Sequence, residues 1–330
     1  MDTAANGTIA ELTLAVSVVV PTNGDLDLLD RSLDALTRQD FPAAAYEVII
    51  VDDDPDRNTL QLVAGWRART VDRGPRLVYV ANDDGPHGPG ASRNRGWQAA
   101  RAPVIAFTGD DTVPSPGWLS QGMAAFDDQT DVLCGGVETP SNAPASDAEP
   151  AGFSAANCFW RRTLLDALGG FDERFGAGWR ENADMHFRLL EMNARVGRAP
   201  QALVSQPVAR PAWGASLSQL HGVAFDALLY KKHPALYRQK IRRLPCWEDY
   251  ATVAALLVAA LGRGFGQEIV AVLGAGTWLV LTGMLCVRRL HHASRSASHV
   301  AEVLLTSPLI PPLAVFWRLV GAIKYRVGFA

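Results

Sequence analysis

Lysine is scarce in this chain of 330 residues. Only four of its 31 basic residues are lysine (Lys231, Lys232, Lys240, Lys324), and the rest are arginine. Positive charge is not in excess either, because 34 acidic residues leave a formal net charge of −3. That balance excludes the electrostatic footprint of a nucleic-acid binder, so no nucleic-acid partner is expected. Cysteine is rare as well. Cys134, Cys158, Cys246 and Cys286 lie far apart without metal-ligand spacing and read as reduced thiols. No basic and apolar leader precedes Leu14, so the N-terminal region is expected to stay in the cytoplasm.

Apolar residues make up 48% of the chain, enough for a sizeable core. Residues 1–13 read as a loose, small and polar tail. Four apolar runs then read as strands: Ala15 to Val20, Tyr46 to Val51, Leu77 to Ala81 and Val104 to Phe107. Leu26, Leu29, Leu33 and Leu36 recur at helical spacing, as do Leu60, Val63 and Trp66, and Arg93 to Ala100 reads as a third helix. This alternation predicts an α/β fold with a parallel sheet. Further on, Gly169-Gly170 ends one helix and Glu181 or Asn182 opens the next, with Met185, Leu189 and Met192 on one face.

In such sheets the ligand crevice lies beyond the carboxyl ends of the strands. Those ends carry Pro21-Thr22, Asp52-Asp53-Asp54 and Asp110-Asp111. The last pair closes the run VIAFTGDD just before a proline-rich turn. Two anionic oxygen donors there suit a hard divalent cation, Mg²⁺ or Mn²⁺, and such a cation suits a diphosphate.

Past Trp213 the character changes. Residues 213–249 hold a basic stretch with Lys231, Lys232, Arg238, Lys240, Arg242 and Arg243. Residues 250–290 read as a hydrophobic hairpin. Ile269 to Val287 carries no charge and as a helix reaches about 28 Å, close to a bilayer core of roughly 30 Å. Tyr250 to Leu261 is shorter and reads equally well as a span or a buried helix. Basic residues outside the hairpin place both of its ends in the cytoplasm. Residues 291–330 contain Pro308, Pro311, Pro312 and Arg318, and read as a segment lying in the membrane interface. High alanine and the preference for arginine look like a GC-rich bacterial genome, and together with the hairpin lead to the expectation of a bacterial inner-membrane protein.

The ordered set VSVVVPTNG, VIIVDDDP, ASRNRGW, FTGDDTVPSPGWL and GGFDERF…WREN resembles an inverting family 2 glycosyltransferase of the GT-A fold, from about Val16 to Arg210. The tail, with KKHPALYR, resembles bacterial membrane-anchored members. The resemblance implies a Rossmann-like nucleotide-binding catalytic domain over residues 14–212, followed by a helical membrane-associated region. It implies a nucleotide diphosphate sugar as donor, a UDP-sugar by preference, and a lipid-linked or membrane acceptor. Pro21 and Thr22 would line the base pocket, Asp53 would bond the base, and Asp110 would meet the ribose or sugar. Asp111 would ligate the cation. Arg93 and Asn94 would lie near the diphosphate or sugar, and Trp179 would border the acceptor.

The chain also departs from the family pattern. Gly109-Asp110-Asp111 stands where three acids are common, and Gln206 where a metal-binding His is common. Asn182 stands where the family places its catalytic Asp, and an amide cannot take the acceptor proton. Three explanations stay open: Glu181 or Asp184 is the base, the acceptor is an already ionised lipid phosphate, or the chain is an impaired catalyst. The rival class is a nucleotide-sugar-binding pseudoenzyme or scaffold at the membrane. A nucleotidyltransferase is disfavoured, because Pro21 to Asp25 holds no basic residue.

Overall fold

The computed structural model describes residues 13–139, 153–176, 179–206, 213–291 and 297–328. The expected tail and the Pro/Ala-rich stretch 140–152 lie outside them. The chain divides into two compact units. One comprises residues 1–141, 152–176 and 188–208, and the other residues 142–151, 177–187 and 209–330.

The first unit is built on an eight-stranded sheet. In chain order it holds β1 (Val16–Thr22), α1 (Leu26–Thr37), β2 (Tyr46–Asp52), α2 (Arg57–Thr70), β3 (Arg76–Ala81), α3 (Pro89–Ala99) and β4 (Val104–Thr108). It continues with β5 (Val113–Pro114), α4 (Trp118–Ala125), β6 (Val132–Glu138), β7 (Asn157–Arg161) and α5 (Arg162–Leu168). Helix α6 (Glu181–Glu191), whose residues up to Phe187 belong to the second unit, leads into β8 (Val196–Ser205). The strand order is β3-β2-β1-β4-β7-β6-β8-β5.

Strands β3, β2, β1 and β4 are parallel, as the alternation predicts, because each crosses back through a helix. The sheet as a whole is mixed, which corrects the parallel expectation. NCFWR forms β7 antiparallel to both β4 and β6, and β5 pairs antiparallel with β8. The β-branched runs of β1 and β2 are buried on both faces, between helices. Leu29, Leu33 and Leu36 of α1 are fully buried in the core beside Val18, Val20 and Trp118. Asp25 caps α1 by accepting the Leu28 amide at 3.1 Å. In α6, Met185 and Leu189 are buried, but Met192 lies past the helix end and is exposed.

The second unit is helical: α7 (Ala215–Ser218), α8 (Ala224–Lys232), α9 (Pro234–Lys240), α10 (Trp247–Gly264), α11 (Glu268–His291), α12 (Ala297–Thr306) and α13 (Ile310–Tyr325). The pair α10–α11 is a hairpin turning through Phe265–Gln267. Pro311 and Pro312 do not break the last helix. They sit in its first turn, where a missing N–H costs nothing. One face of α13 packs on α8, with Gly321 against the Ala224 carbonyl, where a Cβ would come within 2.3 Å. Arg318 of α13 pairs with Asp249 of α10 at 2.7 Å. So one face of α13 is covered by protein, while Phe316, Leu319 and Ile323 stay exposed.

Candidate active site

In the sheet unit β1 lies between β2 and β4, so the strand order reverses at β1. A switch point of this kind opens a crevice at the carboxyl ends of the strands. Strand β1 delivers Thr22 there, with half-buried Pro21 in register with Val51. Strand β4 delivers the turn Gly109–Asp111. The Thr112 hydroxyl holds that turn, donating to the Gly109 carbonyl at 2.8 Å and accepting the Gly109 amide at 3.2 Å. The Asn23 amide reaches Asp110 Oδ2 at 3.4 Å, which ties the two strand ends together. Burial pushes the Asp110 carboxyl above its usual range. The Thr22 hydroxyl opposes that push, and neighbouring Asp111 adds to it.

Asp111 has a partner the sequence reading did not foresee. Gln206, just beyond β8, donates Nε2 to Asp111 Oδ2 at 2.7 Å. Its own amide is anchored on the Glu138 carbonyl at 2.8 Å. The residue standing at the family's histidine position thus meets the proposed metal carboxylate and brings a neutral amide oxygen beside it. Gly109 also has a local reason. A Cβ there would come within 2.4 Å of Asp111 Oδ1, so a third acid would require that carboxylate to turn away.

Asp53 is a hub. Its Oδ2 accepts the Gly88 amide at 2.8 Å, and its Oδ1 accepts Ser92 Oγ at 2.6 Å and Asn82 Nδ2 at 2.9 Å. One carboxylate therefore joins the ends of β2 and β3 to the start of α3. Since a carboxylate offers about four acceptor positions, one remains for a ligand. Asn82 and Gly88 were invisible in the sequence as Asp53 partners, because nothing periodic marks a loop donor 29 or 35 residues away.

Asn94 is fully used inside the protein. Its Nδ2 donates to the Phe171 carbonyl and Glu173 Oε1, and its Oδ1 accepts the Phe171 amide and Trp97 Nε1. These contacts exhaust the side chain, so the expected diphosphate or sugar contact gives way to clamping the GGFDERF turn. Arg93 is buried, with its guanidinium 5.6 Å from the Phe171 ring centroid.

The expected acceptor-side residues belong to the helical unit, and not with the rest of 14–212. Glu181 is buried at the start of α6, and Asn182 is half-buried. Asp184 is 1% exposed and committed: its Oδ1 lies 2.5 Å from Lys232 Nζ and 3.1 Å from His233 Nε2. Both sequence candidates for the base, Glu181 and Asp184, are buried in the first turn of α6.

Residues 17–174 match the model described as Glycosyl transferase family 2. Residues 17–174 thus form a family 2 glycosyl transferase domain. Glycosyltransferase AglE of Haloferax volcanii is 27% identical over 124 residues, 37% of this chain and 39% of that protein. The chain thus spans about two fifths of that curated relative. Among solved structures, the mannosyltransferase PcManGT of Pyrobaculum calidifontis, in complex with GDP-Man and Mn²⁺, superposes with a TM-score of 0.56 at 17% identity. That match covers 95% of this chain and 87% of the other. Staphylococcus aureus TarS 1–349 in complex with UDP gives a TM-score of 0.50 at 17% identity, covering 92% and 91%. The sheet unit of this glycosyltransferase domain has a mixed α/β, GT-A-like fold.

Proposed function

We propose that this chain is an inverting glycosyltransferase. It would move a sugar from a nucleotide diphosphate sugar, a UDP-sugar by preference, to a lipid-linked or membrane acceptor, assisted by Mg²⁺ or Mn²⁺. The observation that carries this reading is the pair Asp110-Asp111 at the switch point of a family 2 domain, with Asn23 on the first carboxylate and Gln206 on the second. Among the described residues no group of three or more His, Cys, Asp and Glu side chains could hold a metal by itself. Hard oxygen donors few in number fit a cation that keeps its remaining positions for water and a diphosphate, as Mg²⁺ does. Asp111 would hold it and Gln206 would orient Asp111. The bound cation would supply positive charge to the leaving diphosphate. Asp53 and Thr22 would fix the base, and PcManGT with GDP-Man and Mn²⁺ and TarS with UDP support this assignment of the crevice.

Single displacement requires the acceptor oxygen to lose its proton or to arrive ionised. Asn182 cannot take the proton, which leaves Glu181 or Asp184, or a lipid phosphate that needs no base. A membrane acceptor agrees with α11, the one described helix that is long and apolar enough to cross a bilayer. Its 24 residues extend about 36 Å, and Arg288 and Arg289 follow the apolar run. This supports a bacterial inner-membrane protein with its catalytic domain in the cytoplasm. The alternative, a nucleotide-sugar-binding scaffold without turnover, is favoured by one arrangement: an amide at 182 and an ion-paired carboxylate at 184.

The test is a thermal-shift series with UDP, GDP and their sugar conjugates, with and without Mn²⁺, followed by assays of transfer and of nucleotide release. Ligand at 100 times its Kd stabilises the native state by about 2.7 kcal/mol. UDP with Mn²⁺ is expected to give a clear shift. A protein that no nucleotide stabilises would refute the assignment, and stabilisation without any turnover would select the scaffold.

A further inference from the structure

Arg180, immediately before α6, has a φ of +68°. The Asp184 amide donates to its carbonyl at 2.9 Å, so Arg180 occupies the N-cap position of that helix. A residue in that place ordinarily has an extended backbone and is Ser, Thr, Asp or Asn. A left-handed arginine there is strained. Asn193 and Arg326, the other described non-glycine residues with positive φ, follow helix C-termini, where left-handed backbone is routine.

Asp226 of α8 holds Arg180 in place. Arg180 Nε donates to Asp226 Oδ1 at 2.6 Å, and the indole Nε1 of Trp179 donates to the same oxygen at 3.2 Å. The ion pair is buried, with side chains 7% and 12% exposed. The indole of Trp179 also lies against Gly222, where a Cβ would approach the ring within 2.8 Å. One carboxylate and one glycine, both in the helical unit, thus fix the two residues that precede Glu181 and Asn182.

We propose that Asp226 is a positioning residue: it holds Arg180 in its left-handed conformation and so sets the direction in which α6 presents Glu181 and Asn182 to the acceptor. This rests on the glycosyltransferase reading of those two residues. A pair that served only cohesion would need no strained cap, since apolar side chains of similar volume hold helices together at least as well. Strain confined to the residue before the proposed acceptor side marks a direction imposed on the chain.

The test uses the full-length protein in detergent, with UDP-glucose and UDP-N-acetylglucosamine as donors and a bacterial membrane lipid extract as acceptor. UDP release is the readout. Asp226→Ala is expected to lower release about 10²-fold, the scale of a small misplacement of reacting groups. The thermal shift given by UDP with Mn²⁺ should persist, because it reports on the sheet unit. Adding Arg180→Gly to Asp226→Ala should recover at least about ten-fold, because glycine adopts positive φ without strain. A carboxylate that merely packs would not be rescued by a change at Arg180.

If Asp226→Ala fails to fold, Asp226→Asn keeps the volume and the acceptor oxygen, and faster hydrogen exchange is expected at the Asp184 amide, which bonds the Arg180 carbonyl. Unchanged release, or unchanged exchange at that amide, would overturn the proposal. If the wild-type protein releases no UDP, the glycosyltransferase reading has failed, and the proposed role in catalysis fails with it. Exchange at the Asp184 amide then shows separately whether Asp226 holds the cap.

Discussion

Near the N-terminal ends of its strands the sheet buries Glu47 completely, and at their C-terminal ends it buries Asp52 under the Tyr79 hydroxyl but leaves Asp53, Asp110 and Asp111 half-buried. Glu47 of β2 is 0% exposed. Burial alone would raise its pKa, yet the Ser17 hydroxyl, the Arg101 amide and the Arg76 guanidinium together hold it below the usual range. Asp110 shows the reverse: burial raises it, and Asp111 adds to the rise. Among the described residues neither Asp110 nor Asp111 pairs with an arginine or lysine. The helical unit follows the Glu47 pattern, with Asp184 on Lys232, Asp226 on Arg180 and Asp249 on Arg318. The contrast separates carboxylates paired with cations inside the protein from the two that, on the proposed reading, take their positive charge from a bound cation.

The largest expected effect breaks the contrast by adding a carboxylate. If the acceptor is a hydroxyl and Glu181 does not already serve, Asn182→Asp should raise turnover by about 10²–10⁴-fold, the usual contribution of a general base. If the acceptor is an ionised lipid phosphate, turnover should stay level or fall, since a new anion repels it. If Glu181 is the base, Glu181→Gln should abolish transfer and leave UDP binding intact. Steady-state kinetics on the three proteins decides among these. Transfer that none of the changes affects would remove this segment from the chemistry.

Next come the two ends of the sheet. Glu47→Gln should lower stability by about 1–3 kcal/mol in urea denaturation, because it weakens buried charged hydrogen bonds, while leaving nucleotide binding alone. Asp53→Ala should lower both, since Asp53 serves the scaffold and the proposed base pocket. A loss of UDP affinity worth about 1–3 kcal/mol is expected by calorimetry, and equal affinity would remove Asp53 from the site.

The smallest effect is a pH dependence. A carboxyl whose folded pKa is raised favours the native state when protonated. Asp110 should therefore cost the unliganded protein stability as pH climbs from the ordinary Asp value of 3.8 through its raised value. Asp110→Asn should flatten that limb of the melting-temperature profile, and a limb that persists in the variant would show that another group causes it.

The legible parts of the molecule were those with a local signature. Continuous β-branched runs gave β1, β2, β3 and β4 to within two residues, and strand ends rich in Asp gave Asp53, Asp110 and Asp111. Strand β7 was not legible, because five residues, NCFWR, carry no alternation that tells its direction. Gln206 and Asn82 were missed as partners because a single amide has no pattern until the fold brings it to a carboxylate. The grouping of residues 177–187 with the C-terminal helices was equally hidden. It depends on pairs 46 to 49 residues apart, Arg180 with Asp226 and Asp184 with His233.

The central claim is that Asp110 and Asp111 form a place for a cation and the diphosphate it carries. It is tested most directly by measuring the thermal midpoint of wild-type protein and of Asp111→Asn, each alone and with UDP and Mn²⁺. The unliganded variant should melt no lower than wild type, since an Asn oxygen can still accept from Gln206 Nε2 and the change removes a like-charge neighbour of Asp110. Wild type should be stabilised by UDP with Mn²⁺ and much less by UDP alone, and the variant should lose the Mn²⁺-dependent part, an affinity loss of at least about 100-fold. Equal stabilisation of both proteins by UDP with Mn²⁺, or a shift in wild type indifferent to the metal, would contradict it.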